Sequence, residues 1–293
     1  MRLHDESVHF YKVSGAGNHF VLLDVTKGPG KGPFAHARGP LVRALCAQGH
    51  SIGADGVLFI EKSRRADFRL VYYNSDGREA PMCGNGTRCA ALYAFNQGLA
   101  AVSMEIEVGS GKVAAVVKRS GVELAMGEPR DFRSDVSVKT TFGVIRGDFV
   151  NTGVPHFVVL PKNWRRLDVN GLGREIRQYR SFGRQGTNVD FARAVSKGTV
   201  EIRTYERGVE AETLSCGTGA VAVAVCLAKR GLVRPPVKLM TRGGDTLRVR
   251  FDDPSKPLSL TFLHGPAQVV YEGDIGLRVL RTVAAKLARR GRT

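Results

Sequence analysis

Short runs of apolar residues, separated by turns, dominate the pattern of apolar and polar positions along the chain. Runs of this length, bounded by glycine, asparagine and aspartate, predict strands. They lie at 10–13, 20–23, 57–60, 68–73, 104–108, 113–118, 123–126, 141–150, 157–160, 189–192, 199–205, 237–240, 246–251 and 258–263. Apolar residues at helical spacing predict helices at 41–48, from Cys83 to about Gln97, at 167–179, after Cys216 and at 277–290. Many short strands with one central helix in each half predict an α+β fold rather than a parallel sheet of βαβ units.

The two halves of the sequence share a cysteine motif. Cys83 begins the run Cys-Gly-Asn-Gly and Cys216 the run Cys-Gly-Thr-Gly, and in both a Gly-Leu pair follows 15 residues after the cysteine. Weaker matches follow in the same order: 19–23 with 156–160, 53–57 with 186–190, and 128–129 with 265–266. They predict a duplication, with an N-terminal half at 1–128, joined by the tail 272–293, and a C-terminal half at 129–271. Coincidence between buried strands is the alternative explanation for the apolar matches.

The two cysteine turns are the strongest candidates for chemistry. Glycines beside each cysteine let the backbone approach a ligand closely, and the helix that follows begins with N–H groups that favour an anion. A helix start is also expected to lower the pKa of a thiol from about 8.5. Two such cysteines predict a pair of acid–base groups that face one anion, as inversion of a carbon requires.

Composition and charge narrow the class of protein. The 293 residues are 43% apolar, the start of the sequence has no apolar signal core, and the longest apolar run, 220–228, is too short for a membrane span. We therefore expect a soluble, cytoplasmic protein. The formal charge of +17 raises nucleic acid as a partner. The arginines are dispersed and not interleaved with aromatic residues, however, so a generally basic surface is the favoured interpretation and specific nucleic-acid binding the alternative.

The remaining cysteines and the final helix are predicted to be structural. Five cysteines, an odd number without a Cys-x-x-Cys pair, indicate a reducing compartment and give no support for a metal site. Cys46, Cys89 and Cys226 lie on apolar faces and are expected in the core. The segment 277–290 has an apolar face opposite basic residues, which predicts a helix packed on the body, with membrane-surface binding as the alternative.

Several motifs together resemble the diaminopimelate epimerases. They are Ser-Gly-Ala-Gly-Asn-His-Phe-Val at 14–21, Tyr-Asn-Ser-Asp-Gly at 73–77, Met-Cys-Gly-Asn-Gly-Thr-Arg-Cys at 82–89, Gly-Val-Pro-His at 153–156, Gly-Thr-Asn at 186–188, Tyr-Glu-Arg-Gly at 205–208 and Ser-Cys-Gly-Thr-Gly at 215–219. The resemblance implies two pseudo-symmetric halves, each a mostly antiparallel sheet wrapped around a central helix, with the active site in the cleft between them. It also implies epimerisation of an amino-acid substrate without pyridoxal phosphate, in the route to lysine and peptidoglycan, by a homodimer.

The resemblance also implies roles for individual residues. Cys83 and Cys216 would exchange protons with the α-carbon, and His156 and Glu206 would tune or relay those protons. The residues implied to hold the substrate are Asn18, Asn74, Gly84, Asn85, Asn188, Glu206, Arg207, Gly217 and Thr218, with Arg207 suited to the distal carboxylate. The sequence departs from the family pattern at His19, Gly56 and Val154. A cofactor-independent racemase of another amino acid is therefore the alternative.

Overall fold

The computed structural model describes residues 6–26 and 38–290, which form two compact units. Of these residues, 6–26, 38–122 and 267–290 belong to the first unit, and 123–266 belong to the second. The sequence repeat suggested boundaries at 128 and 272. The observed ones come earlier because β8 (Gly121–Gly127) pairs with β17 (Thr261–Gly265), whereas β18 (Gln268–Gly276) pairs with β1 (Ser7–Gly15). The segment 27–40 is rich in glycine and proline, which predicts a loop, and its residues 27–37 lie outside the described part of the chain.

In the first unit a mixed sheet surrounds one central helix. Its further elements are β2 (Asn18–Asp24), α1 (Arg38–Cys46), β3 (Gly56–Glu61), β4 (Phe68–Asn74), β5 (Glu79–Ala80), α2 (Gly84–Asn96), β6 (Ser103–Val108), β7 (Gly111–Lys118) and the final helix α5 (Leu277–Arg290). The pairs β18–β1, β1–β2, β3–β4 and β6–β7 are antiparallel, and β2–β3 and β4–β6 are parallel. Helix α2 contacts β1, β2, β3, β4, β7 and β18, so it forms the centre of this unit.

The second unit repeats this arrangement strand by strand. Its further elements are β9 (Arg130–Thr140), β10 (Gly143–Asn151), β11 (Pro155–Val159), α3 (Val169–Arg177), β12 (Asn188–Ser196), β13 (Thr199–Glu206), β14 (Ala211–Thr213), α4 (Gly217–Lys229), β15 (Val237–Met240) and β16 (Thr246–Phe251). The pairs β9–β10, β10–β11, β12–β13 and β15–β16 are antiparallel, and β11–β12 and β13–β15 are parallel. Helix α4 contacts β10, β11, β12, β13, β15, β16 and β17 and is the counterpart of α2.

The final helix packs on the first unit as the sequence predicted. Leu277, Leu280 and Val283 of α5 are buried in a cluster that also contains Val42 and Leu45 of α1. The apolar face of α5 is thus covered by protein, which argues against the membrane-surface alternative. Cys46, Cys89 and Cys226 are buried, as predicted. Among the described residues no helix is long and apolar enough to cross a membrane.

Candidate active site

Cys83 occupies the start of the central helix in the first unit. Its backbone is extended, with φ −136° and ψ 114°, and its carbonyl accepts hydrogen bonds from the N–H and the hydroxyl of Thr87, both at 2.8 Å. A helix leaves its first N–H groups without intrahelical partners, and here these groups belong to Gly84, Asn85 and Gly86. The half-buried thiol of Cys83 therefore lies at a helix end that favours negative charge.

Cys216 has the same position in the second unit. Its backbone angles, φ −128° and ψ 114°, nearly equal those of Cys83, and its carbonyl accepts a hydrogen bond of 3.0 Å from the N–H of Ala220. The thiol is buried, and its sulfur lies 3.4 Å from the hydroxyl oxygen of Thr218. The repeated motif is thus a repeated helix start, with Gly217 and Thr218 in the positions of Gly84 and Asn85.

In the first unit, two of the predicted substrate residues, Asn18 and Asn85, are joined in a hydrogen-bond network at the Cys83 turn. The side-chain amide of Asn85 donates to Oδ1 of Asn18, and the buried guanidinium of Arg88 donates to Oδ1 of Asn85 at 2.7 Å. Asn18 in turn donates to the carboxylate of Asp55 at 3.3 Å. Asp55 was not identified from the sequence, although it lies in the repeated segment 53–57. This network fixes the orientations of the Asn18 and Asn85 amides.

Asn74 is held by the hydroxyl of Tyr72. It lies opposite Gly56 in the β3–β4 pair, and its Oδ1 accepts a hydrogen bond of 2.8 Å from the hydroxyl of Tyr72. A Cβ atom at Gly56 would come within 2.6 Å of the Tyr72 ring and 2.5 Å of the carbonyl oxygen of Tyr73. A longer side chain at 56 would therefore collide with Tyr72, which gives the departure at Gly56 a structural reason.

The other two departures lie beside predicted site residues. His19 is exposed, and its backbone N–H donates to the carboxylate of Asp55 at 2.9 Å. The Val154 carbonyl accepts a 3.1 Å hydrogen bond from the N–H of Thr152 in the turn before His156. Both residues thus contribute backbone contacts, which do not depend on the side chain.

In the second unit a buried polar network joins the predicted residues His156 and Asn188. The parallel register of β11 and β12 places His156 beside Asn188 and Val158 beside Asp190. The Nδ1 atom of His156 lies 2.6 Å from Oδ2 of Asp190, and its Nε2 atom lies 3.4 Å from Nδ2 of Asn188. His156, Asn188 and Asp190 are all buried. The sequence did not identify Asp190, although it lies in the repeated segment 186–190, two residues after Asn188.

Glu206 and Arg207 follow at the end of β13. Burial raises the pKa of the Glu206 carboxyl above its ordinary value of 4.5, with Asp190 acting in the same direction and His156 opposing it. The backbone N–H of Arg207 donates to Oδ1 of Asn188 at 2.8 Å, and its guanidinium donates to Oε1 of Gln185 at 3.3 Å. One polar network therefore joins four predicted site residues: His156, Asn188, Glu206 and Arg207.

The pKa of the Cys216 thiol is raised, contrary to the direction expected for a cysteine at a helix start. Burial is the largest cause, and the carboxylates of Glu206 and Asp190 add to it. The hydroxyl of Thr218 and the N–H of Gly219 favour the thiolate but are outweighed. The sequence-based expectation was therefore wrong for Cys216, which keeps its proton at neutral pH.

A family model described as diaminopimelate epimerase matches residues 10–131 and 149–270, one stretch around each cysteine helix. The chain belongs to the diaminopimelate epimerase family. The diaminopimelate epimerase of Aquifex aeolicus (strain VF5) is 38% identical over 281 residues, which cover 93% of this chain and 99% of that one. That of Archaeoglobus fulgidus is 39% identical over 286 residues, covering 94% and 98%. As a member of this epimerase family, the protein is an isomerase.

Solved structures show the same fold at lower sequence identity. A probable proline racemase from Agrobacterium radiobacter K84, with bound carbonate, matches with a TM-score of 0.69 and 18% identity, covering 92% of this chain and 93% of that one. A hydroxyproline epimerase from Agrobacterium vitis, with bound trans-4-hydroxy-L-proline, matches with a TM-score of 0.68 and 21% identity, covering 94% of each chain. The predicted α+β fold of two similar halves is confirmed.

Proposed function

We propose that this epimerase interconverts L,L- and meso-diaminopimelate by moving protons between the substrate α-carbon and two cysteines, Cys83 and Cys216, without pyridoxal phosphate. The observation that supports this most strongly is the pair of equivalent helix starts, each with a cysteine at the same backbone conformation. The names of the relatives, at 38% and 39% identity over nearly their whole length, support the substrate. The reaction would supply a precursor of lysine and peptidoglycan.

Inversion at the α-carbon requires one group to remove a proton and another to deliver a proton to the opposite face. In the proposed reaction one thiolate takes the α-proton while the other thiol gives its own, and the C–H bond that forms has the opposite configuration. The roles exchange in the reverse direction. The raised pKa of Cys216 suits it to begin as the proton donor, because its sulfur holds a proton at neutral pH.

Negative charge develops on the substrate carboxylate as the α-proton leaves, and the helix starts can stabilise it. N–H groups fixed in position stabilise such charge without rearranging during the reaction. We assign this role to the N–H groups of Gly84, Asn85, Gly217 and Thr218, at the first turns of α2 and α4. This contribution replaces the electron sink that a Schiff-base cofactor provides in other racemases.

The polar side chains around each turn are proposed to bind the rest of the substrate. Asn18 and Asn74 are oriented by hydrogen bonds within the first unit, and Asn188 within the second. The guanidinium of Arg207 can hold the distal carboxylate through two parallel N–H donors. Glu206, whose pKa is raised, is proposed to act on Cys216 as an electrostatic and proton-relay partner.

We further propose that the protein acts in the cytoplasm as a homodimer. Strand β18 pairs with β1 and presents three consecutive partly exposed apolar residues, Val269, Val270 and Tyr271. Exposed apolar residues grouped in this way are typical of interaction surfaces. Sedimentation at several protein concentrations tests this proposal: a mass of twice the 31.8 kDa chain supports it, and a monomer contradicts it.

Incubation with L,L-diaminopimelate in heavy water, without added cofactor, tests the proposed reaction. We expect the meso isomer to form with deuterium at the inverted carbon only, because the delivered proton comes from a group in exchange with solvent. If deuterium enters another amino acid at its α-carbon but does not enter diaminopimelate, the protein is instead a racemase of that amino acid. Inhibition by a carbonyl reagent that traps pyridoxal phosphate would contradict the cofactor-independent mechanism.

A further inference from the structure

A chain of hydrogen bonds in the second unit begins at Asp190, which has no assigned role. It passes from the carboxylate of Asp190 to the imidazole of His156, from there to the side-chain amide of Asn188, and ends at the backbone of Arg207. The side chains of Asp190 and His156 have no solvent-exposed surface. Water therefore does not compete for these hydrogen bonds, and each group must be satisfied by its neighbour.

The orientation of the Asn188 amide follows from its contact with Arg207. A backbone N–H can only donate, so the atom of Asn188 that faces it at 2.8 Å is the oxygen Oδ1. The other end of the amide, which faces Nε2 of His156 at 3.4 Å, is consequently the nitrogen. An amide nitrogen donates and does not accept, so Nε2 of His156 must carry no proton.

The same reasoning places the proton of His156 on Nδ1. Because Nε2 is unprotonated, Nδ1 carries the ring proton, and this N–H donates a hydrogen bond of 2.6 Å to Oδ2 of Asp190. A carboxylate is an acceptor only, and Asp190 therefore selects this tautomer of the imidazole. Without such an acceptor, only the longer 3.4 Å contact with the Asn188 amide would favour the proton on Nδ1.

Asp190 is itself fixed in place by its surroundings. The buried hydroxyl of Thr204 donates to its other oxygen, Oδ1, at 2.7 Å. The first turn of α4 packs directly against that oxygen, since a Cβ atom at Gly219 would lie 2.3 Å from Oδ1. The carboxylate thus has a single position, set by β13 on one side and by the Cys216 helix on the other.

We propose that Asp190 is a positioning residue of the substrate site: it fixes the tautomer of His156, whose unprotonated Nε2 then accepts from the Asn188 amide and so, together with the Arg207 N–H, holds that amide in place. The role assigned to Asn188 and Arg207 in binding substrate rests on the proposed function. One N–H of Asn188 is used by His156, which leaves the second for a ligand. Asp190 would thus affect substrate binding without touching the substrate.

The tautomer is measured directly by nitrogen NMR of protein labelled with ¹⁵N-histidine. The signal of His156 is assigned by its loss in a His156→Gln variant. We expect the wild-type imidazole to be protonated on Nδ1, and in Asp190→Ala we expect the proton to move to Nε2. A wild-type ring protonated on Nε2 would overturn the proposal. This measurement needs no substrate, so its result is independent of whether the protein epimerises diaminopimelate.

Steady-state kinetics test the consequence for binding. In Asp190→Ala we expect KM to rise about tenfold, roughly the loss of one oriented hydrogen bond, and kcat to change by a smaller factor. Asp148→Ala is the matched control, because Asp148 is a buried carboxylate of the same unit that is paired with Arg230. The control is expected to lose stability while KM and the His156 tautomer stay unchanged.

Equal changes of KM in the two variants would show that Asp190 has only a structural role. Thr204→Val provides a milder change if Asp190→Ala does not fold, since it removes one hydrogen bond to Asp190 and keeps the carboxylate. It is expected to raise KM by a few fold, and an unchanged KM would contradict the proposal. Absence of epimerisation by the wild-type protein would instead refute the proposed function and leave the tautomer result standing.

Discussion

At the scale of single residues, burial decides the protonation of the candidate acid–base groups more than position on a helix does. Cys216 lies at a helix start, yet its pKa is raised because the thiol is enclosed and two carboxylates are near. Burial also raises the pKa of the structural cysteines Cys46 and Cys89 to about 12. The sequence identified Cys216 through its glycines but could not predict this direction, because Asp190 and Glu206 reach the thiol through strand pairing.

Replacement of Glu206 by glutamine tests the raised pKa of this carboxyl. Its folded-state pKa lies above the ordinary value of 4.5, so protonation of Glu206 stabilises the folded state relative to the unfolded state. The contribution of this carboxyl to the free energy of unfolding is fully present below its unfolded-state pKa. It is lost as the pH rises through the folded-state pKa. Glutamine has no such loss, so at neutral pH we expect Glu206→Gln to have the higher free energy of unfolding, although its epimerase activity falls.

Urea denaturation over a pH series measures this difference, with Glu175→Gln as a control of opposite sign. Hydrogen bonds from Thr141 lower the pKa of Glu175. The ionised carboxylate therefore contributes to the free energy of unfolding above its unfolded-state pKa, and this contribution is lost as the pH falls through the folded-state pKa. Glu175→Gln is therefore expected to be less stable than wild type at neutral pH and to approach it in acid. A stability advantage of wild type over Glu206→Gln that grows with pH would contradict the account.

At the scale of elements, the sequence predicted those segments whose apolar pattern is clear. Helices α2, α4 and α5 were predicted near their observed positions because glycine turns and helical spacing mark them. Strands β9 and β18 were missed. Most of their residues are exposed, so their sequences lack the alternation that burial of one face produces. Of the site, the two cysteine turns were predictable from their repeated glycine motif, whereas the roles of Asp55, Asp190 and Tyr72 depend on contacts between strands.

The start of α4 depends on a glycine that allows close packing against Asp190. In Gly219→Ala the added methyl group would lie 2.3 Å from Oδ1 of Asp190, a carboxylate held by two hydrogen bonds. We expect a loss of about 1–3 kcal/mol in the free energy of unfolding, as for other overpacked sites, together with reduced activity. Chemical denaturation and an epimerase assay measure the two effects.

Gly198→Ala is the matched control for this substitution. Gly198 lies in the turn between β12 and β13 of the same unit, its Cβ position has no neighbour within 4 Å, and its φ is not in the left-handed region. Alanine there is expected to be neutral or to stabilise by up to about 1 kcal/mol. Equal stability of the two variants would show that contact with Asp190 does not constrain the helix start.

At the scale of the whole molecule, the repeated order of parallel and antiparallel pairs shows that the two units share one architecture. The sequence indicated this through two cysteine motifs, and the family match at 10–131 and 149–270 follows the same division. It assigned the tail from 272 to the first half, whereas the first unit takes in all of β18 from Gln268, because the whole strand pairs with β1. The formal net charge of +17 is a second property of the whole chain, since basic residues are dispersed through both units.

The charge of +17 predicts weak, salt-sensitive binding to nucleic acid. Binding through phosphate contacts alone falls steeply with salt, because it is driven by the release of counterions. We therefore expect association with duplex or single-stranded DNA at low salt to be lost at physiological salt. A fluorescence-anisotropy titration over a salt series checks this. Sequence-dependent binding at submicromolar concentration in physiological salt would show a second, specific function.

The central claim is that Cys83 and Cys216 are both required because inversion takes a proton on one face and gives one on the other. The most direct test compares the epimerase activity of the single alanine variants of all five cysteines. Cys89 and Cys226 are matched controls, since they lie in the same helices, α2 and α4, and are buried. Cys46→Ala serves as a third control in α1.

We expect Cys83→Ala and Cys216→Ala each to lose about 10²–10⁴-fold in turnover while remaining folded. The three control variants should keep near wild-type turnover and lose only about 0.5–3 kcal/mol of stability. A folded Cys83→Ala or Cys216→Ala protein with near wild-type turnover would contradict the two-cysteine mechanism.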